Sequence, residues 1–306
     1  MKVSVLLHNL NRGSCLETCL ESVCRQDYRP IEIVLLDAGS TDNSANVIRA
    51  AERKCAQLGI EIKLVDCPML GVAASRNLAA TYATGELLCS IDNDAAFVAP
   101  DGISRTVQAF SRTDRLGAVS FRVLNGDSDR LDPFAWIFRR DARLWSDRPF
   151  QTFIFAGTGF CIRASAFRDA GGFWDHLRYS REEEEIGMSL VNLGWDIEYM
   201  PAVEIRHYAD ARGRDSLKER RRMELRNGLL VIWRRLPVAV ALPLCAARIG
   251  TMLLKSLAGE RRVPSHLLGA VREATKEWRT FHLERRPISM LATMQYARLH
   301  YSRARY

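Results

Sequence analysis

The sequence is short of several features that would narrow its function at once. No Cys-x-x-Cys pair occurs; the eight cysteines stand at 15, 19, 24, 55, 67, 89, 161 and 245. Scattered thiols, several within apolar runs, argue against a disulfide framework or a zinc site and for reduced cysteines in a cytosolic setting. The N-terminus moves straight into Val3-Ser4-Val5-Leu6-Leu7, without a basic region and a long apolar core, so no secretory signal is expected. Glycine is scarce early: only Gly13 precedes Gly39, which leaves no glycine-rich phosphate loop after the first apolar run. The uncharged run from Leu236 to Ala247 is 12 residues long and contains Pro237 and Pro243. A membrane span needs roughly 20 residues, so this run is too short. No recognisable nucleic-acid reader motif is present either.

What is present is a chain of 306 residues, 47% hydrophobic and 26% charged. That suffices for one large α/β domain, or one domain with an appendage. The charge is uneven. Residues 212–306 hold 21 Lys/Arg against 7 Asp/Glu, while residues 1–211 hold 23 against 29. A basic tail thus follows a mildly acidic domain, and it could meet an anionic lipid surface or an acidic substrate.

Periodicity predicts strands at Val3 to Leu7, Ile31 to Asp37, Ile60 to Val65 and Leu87 to Ile91. Helical spacing lies between them: Leu16, Cys19, Leu20 and Val23 behind an N-cap at Ser14, Val47 to Cys55 behind Thr41 or Asp42, and Gly71 to Tyr82. Such alternation predicts a doubly wound sheet, which binds ligands beyond the carboxyl ends of its strands. Further on, a helix capped by Asp101 and a strand from Ala118 to Val123 are expected, then an aperiodic stretch over 125–150. Phe153 to Ile162 alternates as one strand with Gly157 and Gly159 inside it, and Trp195 to Met200 and Val203 to Arg206 read as two short strands. The tail from Arg220 onward is helical and amphipathic. It is either an ordinary cap over the domain or a helix lying in a membrane interface with cations near anionic headgroups.

Asp92 and Asp94 follow the fourth strand with one residue between them. On extended backbone they would face one space and could share Mg2+ or Mn2+; an Asx-rich turn is the plainer reading. Glu182 to Glu185 opens a helix, where four acids also suit the helix dipole.

Taken together, several segments resemble the inverting family 2 glycosyltransferases of GT-A fold, in their rhamnosyltransferase-like bacterial branch. His8-Asn9-Leu10-Asn11-Arg12 is similar to the family's Pro-x-Tyr-Asn-Arg turn, with His8 for Pro and Leu10 for Tyr. Asp37-Ala38-Gly39-Ser40-Thr41-Asp42, Gly71 to Arg76-Asn77, Asp92-Asn93-Asp94, and Gly171-Gly172-Phe173 followed by Glu182-Glu183 are similar to four further elements, in order. Gly194-Trp195 and Pro201 to His207 resemble the motif's end.

The resemblance implies a GT-A, Rossmann-like doubly wound mixed sheet over 1–210, with a nucleotide-sugar half at 1–99 and an acceptor half at 100–210. A helical basic extension would occupy 211–306. It implies nucleotide contacts from His8, Asn9, Asn11, Arg12, Asp37, Ser40, Arg76, Asn77, Asp92 and Asn93. Asp92, Asp94 and His207 would hold the metal, Mg2+ or Mn2+, and Gly157, Thr158 and Trp174 would meet the acceptor. The base that takes the acceptor's proton carries over to Glu183, usually Asp in the family, followed by Glu182 and Glu185. The implied reaction moves a sugar from a UDP- or dTDP-linked donor to a hydroxyl on a glycan or lipid-linked glycan, at the cytoplasmic face of a membrane. The other readings are a sugar-nucleotidyltransferase, disfavoured by the missing glycine loop, and a non-catalytic nucleotide-sugar-binding module. Nucleic acid is not an expected partner.

Overall fold

Side-chain direction along the first strand sets the layering. In a computed structural model describing residues 1–126, 128–209, 216–257, 265–280 and 284–301, Val3, Val5 and Leu7 pack to one face and Leu6 to the other. In chain order the first elements are β1 (Val3–Asn9), α1 (Gly13–Cys24), β2 (Ile31–Asp37), α2 (Ser44–Gln57), β3 (Glu61–Asp66), α3 (Val72–Tyr82) and β4 (Leu87–Ile91). Then come β5 (Ala95–Phe97), α4 (Gly102–Ser111), β6 (Leu116–Asn125), α5 (Ala142–Trp145), β7 (Phe150–Thr152), β8 (Gly159–Arg163) and α6 (Ala164–Ala170). The last are α7 (Glu182–Asn192), β9 (Asp196–His207), α8 (Leu217–Arg235), α9 (Val238–Leu257), α10 (Ser265–Thr280) and α11 (Met290–Tyr301).

Among the described residues the strands form one nine-stranded sheet in the order β3-β2-β1-β4-β8-β6-β9-β5, with β7 also on β9. Strands β1 to β4 are mutually parallel, β8 runs against both β4 and β6, and β9 runs parallel to β6. Two reversals restore direction, so β1, β2, β4 and β9 all end at one edge. Asn9, Asp37, Asp92 and His207 meet there for that reason. Helices α1, α2 and α4 cover one face, while α3, α6, α7 and residues of α8 to α11 share the core on the other.

Four local expectations change; one is the cap of α2, where Asn43, not Thr41 or Asp42, holds the N-cap position. Phe153 to Ile162 is not one strand: β7 pairs with β9, β8 pairs with β4 and β6, and 153–158 crosses between them. Its alternation arises because Phe153 and Phe155 are buried in the core, not because the backbone lies in a ladder. The two short strands after Trp195 are one strand, β9, whose register slips opposite Phe121 and Arg122; Pro201 has no N–H to offer a ladder. Ser14 is not the N-cap of α1; Arg12 occupies that position. Asp42 instead joins two helix starts, accepting from the Gly13 amide and the Ser44 amide, each at 2.9 Å. Gly13 permits this approach, because a Cβ there would lie 2.9 Å from the Ser44 nitrogen.

The four glutamates of α7 divide by direction. Glu185 is fully buried and meets Arg234 at 2.8 Å and Arg235 at 2.7 Å, both on α8. Glu184 accepts from Arg181 at 2.7 Å and from the Tyr296 hydroxyl of α11 at 3.1 Å. Two acids therefore bind the C-terminal helices to α7. Removing one partner of such a buried pair generally costs about 3–5 kcal/mol.

Candidate active site

A cleft of about 560 Å³ opens at the strand-end edge. The turn after β4 forms part of its floor, held by Asp92 N–H to the Thr158 carbonyl at 3.1 Å and Tyr208 N–H to the Asp94 carbonyl at 2.7 Å. The Asp92–Asp94 segment is thus both a turn and an acid pair. One ligand atom from each of Asp92, Asp94 and His207 lies within 4.8 Å of the others. Two carboxylate oxygens and an imidazole nitrogen at that separation are a donor set that could hold a divalent cation. Desolvation in the cleft and the charge of Asp94 push the Asp92 carboxyl upward; a bound cation would oppose both. Burial lowers the affinity of His207 for a proton, but hydrogen bonds to Asp94 and Asp132 outweigh it and raise the pKa overall.

Arg76, on α3, is 8% exposed and is the centre of the site. Its guanidinium donates to Glu183 at 2.9 Å, Glu182 at 3.3 Å and the Gly157 carbonyl at 2.8 Å, and lies 4.0 Å from Asp92. The rings of Phe160 and Phe173 flank it at 5.2 and 5.5 Å. A Cβ on Gly157 would press on the Glu183 carboxylate, which would have to shift from its place beside Arg76. Glu182 is 3% exposed, and burial followed by the charge of Glu183 raises its pKa to about 8. At neutral pH Glu182 therefore holds a proton. Glu183, with its side chain 15% exposed, is the more open acid of the pair; both lie behind Arg76, which lines the cleft.

The remaining sequence-derived residues separate into groups. Asn9 donates to Asp37, Ser40 and Ser44 and accepts from Asn93 at 2.8 Å. Ser40 accepts from the Asn11 amide, and Arg12 reaches Asn93 and Asp94 at 3.2 and 3.1 Å. These residues form one network across the ends of β1, β2 and β4. His8 lines the cleft with a buried Nε2 that has no partner. Burial, with Arg12 and Arg76 nearby and against the charge of Asp37, lowers its pKa and keeps the ring neutral. Asn77 does not line the cleft: its carboxamide clamps Phe173, donating to its carbonyl and accepting from its amide. Trp174 is buried beneath Arg234, whose guanidinium lies 4.3 Å from its ring. Glu185 faces α8.

Sequence reasoning missed other residues. Asp132 and Phe134 lie in the aperiodic stretch, where no pattern could mark them. The buried Ser75 hydroxyl lines the cleft and has no partner. Asn227 of α8 donates to the carbonyls of Tyr179 and Ser180. It thereby holds a turn in which Ser180 and Arg181 both take left-handed φ, 70° and 76°, immediately before α7. Such backbone costs of order 1–3 kcal/mol per residue and persists only where the surroundings enforce it. A polar residue beside the apolar Leu229 to Ile232 run was the one available signal.

Comparison with known proteins gives a family. The model of "Glycosyl transferase family 2" matches residues 4–171. The uncharacterized glycosyltransferase alr2836 of Nostoc sp. is 31% identical over 133 residues, covering 43% of this chain and 40% of that protein. The N-acetylglucosaminyl-diphospho-decaprenol L-rhamnosyltransferase of Mycobacterium tuberculosis is 25% identical over 241 residues, covering 66% of this chain and 75% of that one. In structure the chain resembles the mannosyltransferase PcManGT of Pyrobaculum calidifontis, solved with GDP-Man and Mn2+. The TM-score is 0.60 at 20% identity, over 98% of this chain and 87% of that one. That likeness gives the GT-A fold.

The Glu182 proton has a measurable consequence. Folding raises its pKa from the ordinary 4.5 to about 8, so its contribution to stability is fully present below about pH 4.5. It is lost as pH rises through 8, because the unfolded chain releases a proton that the folded chain keeps. Glu182→Gln removes this loss. Thermal melts from pH 5 to pH 9 are expected to show the variant gaining on the wild type as pH rises; parallel profiles would contradict the assignment.

Proposed function

The chain belongs to glycosyl transferase family 2, and on that basis we propose that it moves a sugar from a nucleoside-diphosphate donor to a hydroxyl acceptor in one inverting displacement. The observation that carries this reading is a single guanidinium, Arg76, touching a metal-type acid turn on one side and an acidic helix start on the other. Asp92, Asp94 and His207 would hold Mg2+ or Mn2+, which when bound neutralises charge on the departing diphosphate. The GDP-Man and Mn2+ bound to the Pyrobaculum neighbour support that pairing of donor and ion.

The other roles follow from position. Arg76 adds a buried positive charge where the leaving group becomes anionic. Glu183 takes the proton of the acceptor hydroxyl as it attacks the anomeric carbon from the opposite face. Such a base contributes about 10²–10⁴-fold. Glu182 keeps its own proton and so does not add a second charge beside Glu183. The neutral His8 ring and the Ser75 hydroxyl supply uncommitted polar atoms for the nucleoside. Gly157 and Thr158, beside Glu183 and Asp92, border the space in which the acceptor meets the sugar.

The test is calorimetric titration with UDP, dTDP and GDP, with and without Mn2+, followed by nucleotide release from the matching sugars. Asp94→Ala should lose the metal-dependent part of binding. Glu183→Gln should bind as the wild type does and turn over at least about 10²-fold more slowly. Metal-independent binding in the wild type, or full turnover by Glu183→Gln, would defeat the mechanism.

We further propose that the acceptor is lipid-linked and that the protein works against the cytoplasmic face of a membrane. Helix α9 exposes Val238, Leu242 and Leu254, with Arg248 and Lys255 the charged residues in its sequence, and α11 exposes Leu291 and Met294. No helix among the described residues is long and apolar enough to cross a membrane, so the helices would lie on it. The Mycobacterium relative's name, with its diphospho-decaprenol, supports such an acceptor. A Leu242→Glu/Leu254→Glu variant should lose co-sedimentation with anionic vesicles while binding nucleotide normally; undiminished sedimentation would remove the membrane from the account.

A further inference from the structure

Asp132 lies in the stretch where sequence pattern is uninformative, yet it joins two parts of the cleft. It is 4% exposed, and its backbone is fixed by an N–H to the Val123 carbonyl at 3.0 Å. One carboxylate oxygen lies 2.6 Å from His207 Nδ1; the other accepts from the Phe134 amide at 2.8 Å. Phe134, 87% exposed as a residue, lines the mouth of the cleft.

We propose that Asp132 is a positioning residue with two tasks: it orients His207 for the cation, and it ties the cleft-mouth segment carrying Phe134 to the state of that ligand. The proposal rests on the metal-dependent donor reading given above. An ionised carboxylate can only accept hydrogen bonds, so His207 Nδ1 carries the proton. Nε2, 3.5 Å from an Asp94 oxygen, is then the nitrogen that faces the site, and its lone pair would become available there when a cation takes the place of its proton. Carboxylate partners of this kind fix the tautomer of a metal-binding histidine, and losing one typically weakens metal affinity about 10–100-fold. The same carboxylate cannot shift toward His207 without pulling on the Phe134 amide. Seating a cation on Nε2 therefore also restrains the segment carrying Phe134 at the cleft mouth.

Asparagine and alanine separate the two tasks. Asp132→Asn can still accept from the Phe134 amide through its carbonyl. Its NH₂ then faces Nδ1, which drives the imidazole proton onto Nε2 and blocks the ligand position. Asp132→Ala loses both contacts.

The experiment combines two readouts on the full chain. The first is titration of Mn2+ in the presence of UDP, GDP or dTDP. The second is hydrogen exchange of peptides spanning residues 128–138, with and without Mn2+ and nucleotide. Both variants are expected to bind Mn2+ about tenfold or more weakly than the wild type. Without metal, exchange in 128–138 should stay near wild type in Asp132→Asn and accelerate in Asp132→Ala. Metal should slow that exchange in the wild type only. Mn2+ affinity unchanged in both variants, or wild-type exchange in 128–138 indifferent to metal, would overturn the proposal while leaving the transferase reading intact. Failure of the wild type to bind Mn2+ with any of the nucleotides would overturn that reading and this one together.

Discussion

The structure depends most on how the Arg76 guanidinium is satisfied. It is buried, and an isolated buried charge would cost several kcal/mol. Burial works against the charged form, but the acids around it, Glu183 first, outweigh it and hold the group cationic. Around that cation the molecule brings together parts distant in sequence: α3, the turn after β4, the crossing segment at Gly157 and the start of α7. From α3, Arg76 contacts each of the others: the Gly157 carbonyl, the Asp92 carboxylate and the two acids that open α7.

The start of α7 is held from behind by the C-terminal helices. Ser180 and Arg181 adopt backbone that side-chain-bearing residues rarely take. Asn227 anchors their turn, Arg181 and Tyr296 hold Glu184, and Arg234 and Arg235 hold Glu185. The basic extension thus shares the core with the sheet and braces the acidic turn. This does not conflict with a membrane-facing role, because the braced faces of α8 and α11 and the exposed face of α9 are different surfaces.

The first ninety residues were legible because period-2 and period-3.6 patterns alternate cleanly there, and the acids at strand ends followed from the topology. Legibility failed wherever direction, not composition, mattered. Glu182 to Glu185 are identical in sequence, yet successive helix positions turn by about 100°, and the packing of α8 and α11 decides which pair turns toward Arg76. Phe153 to Ile162 alternated convincingly, but burial in a core produces the same pattern as pairing in a sheet. Asp132 carried no periodic signal, and its significance comes from His207, which lies 75 residues later. Asn77 matched a motif position, and its carboxamide is taken up by the Phe173 backbone.

On the proposed reading, a metal-type acid turn and an acid-bearing helix linked by one arginine would put leaving-group stabilisation and proton removal on opposite sides of the same anomeric carbon, as a single displacement requires. The most direct measurement is the proton NMR spectrum of the freshly formed product, reading its anomeric configuration against that of the donor. The account predicts inversion, an α-linked donor giving a β-linked product or the reverse. A product that retains the donor's configuration would contradict it.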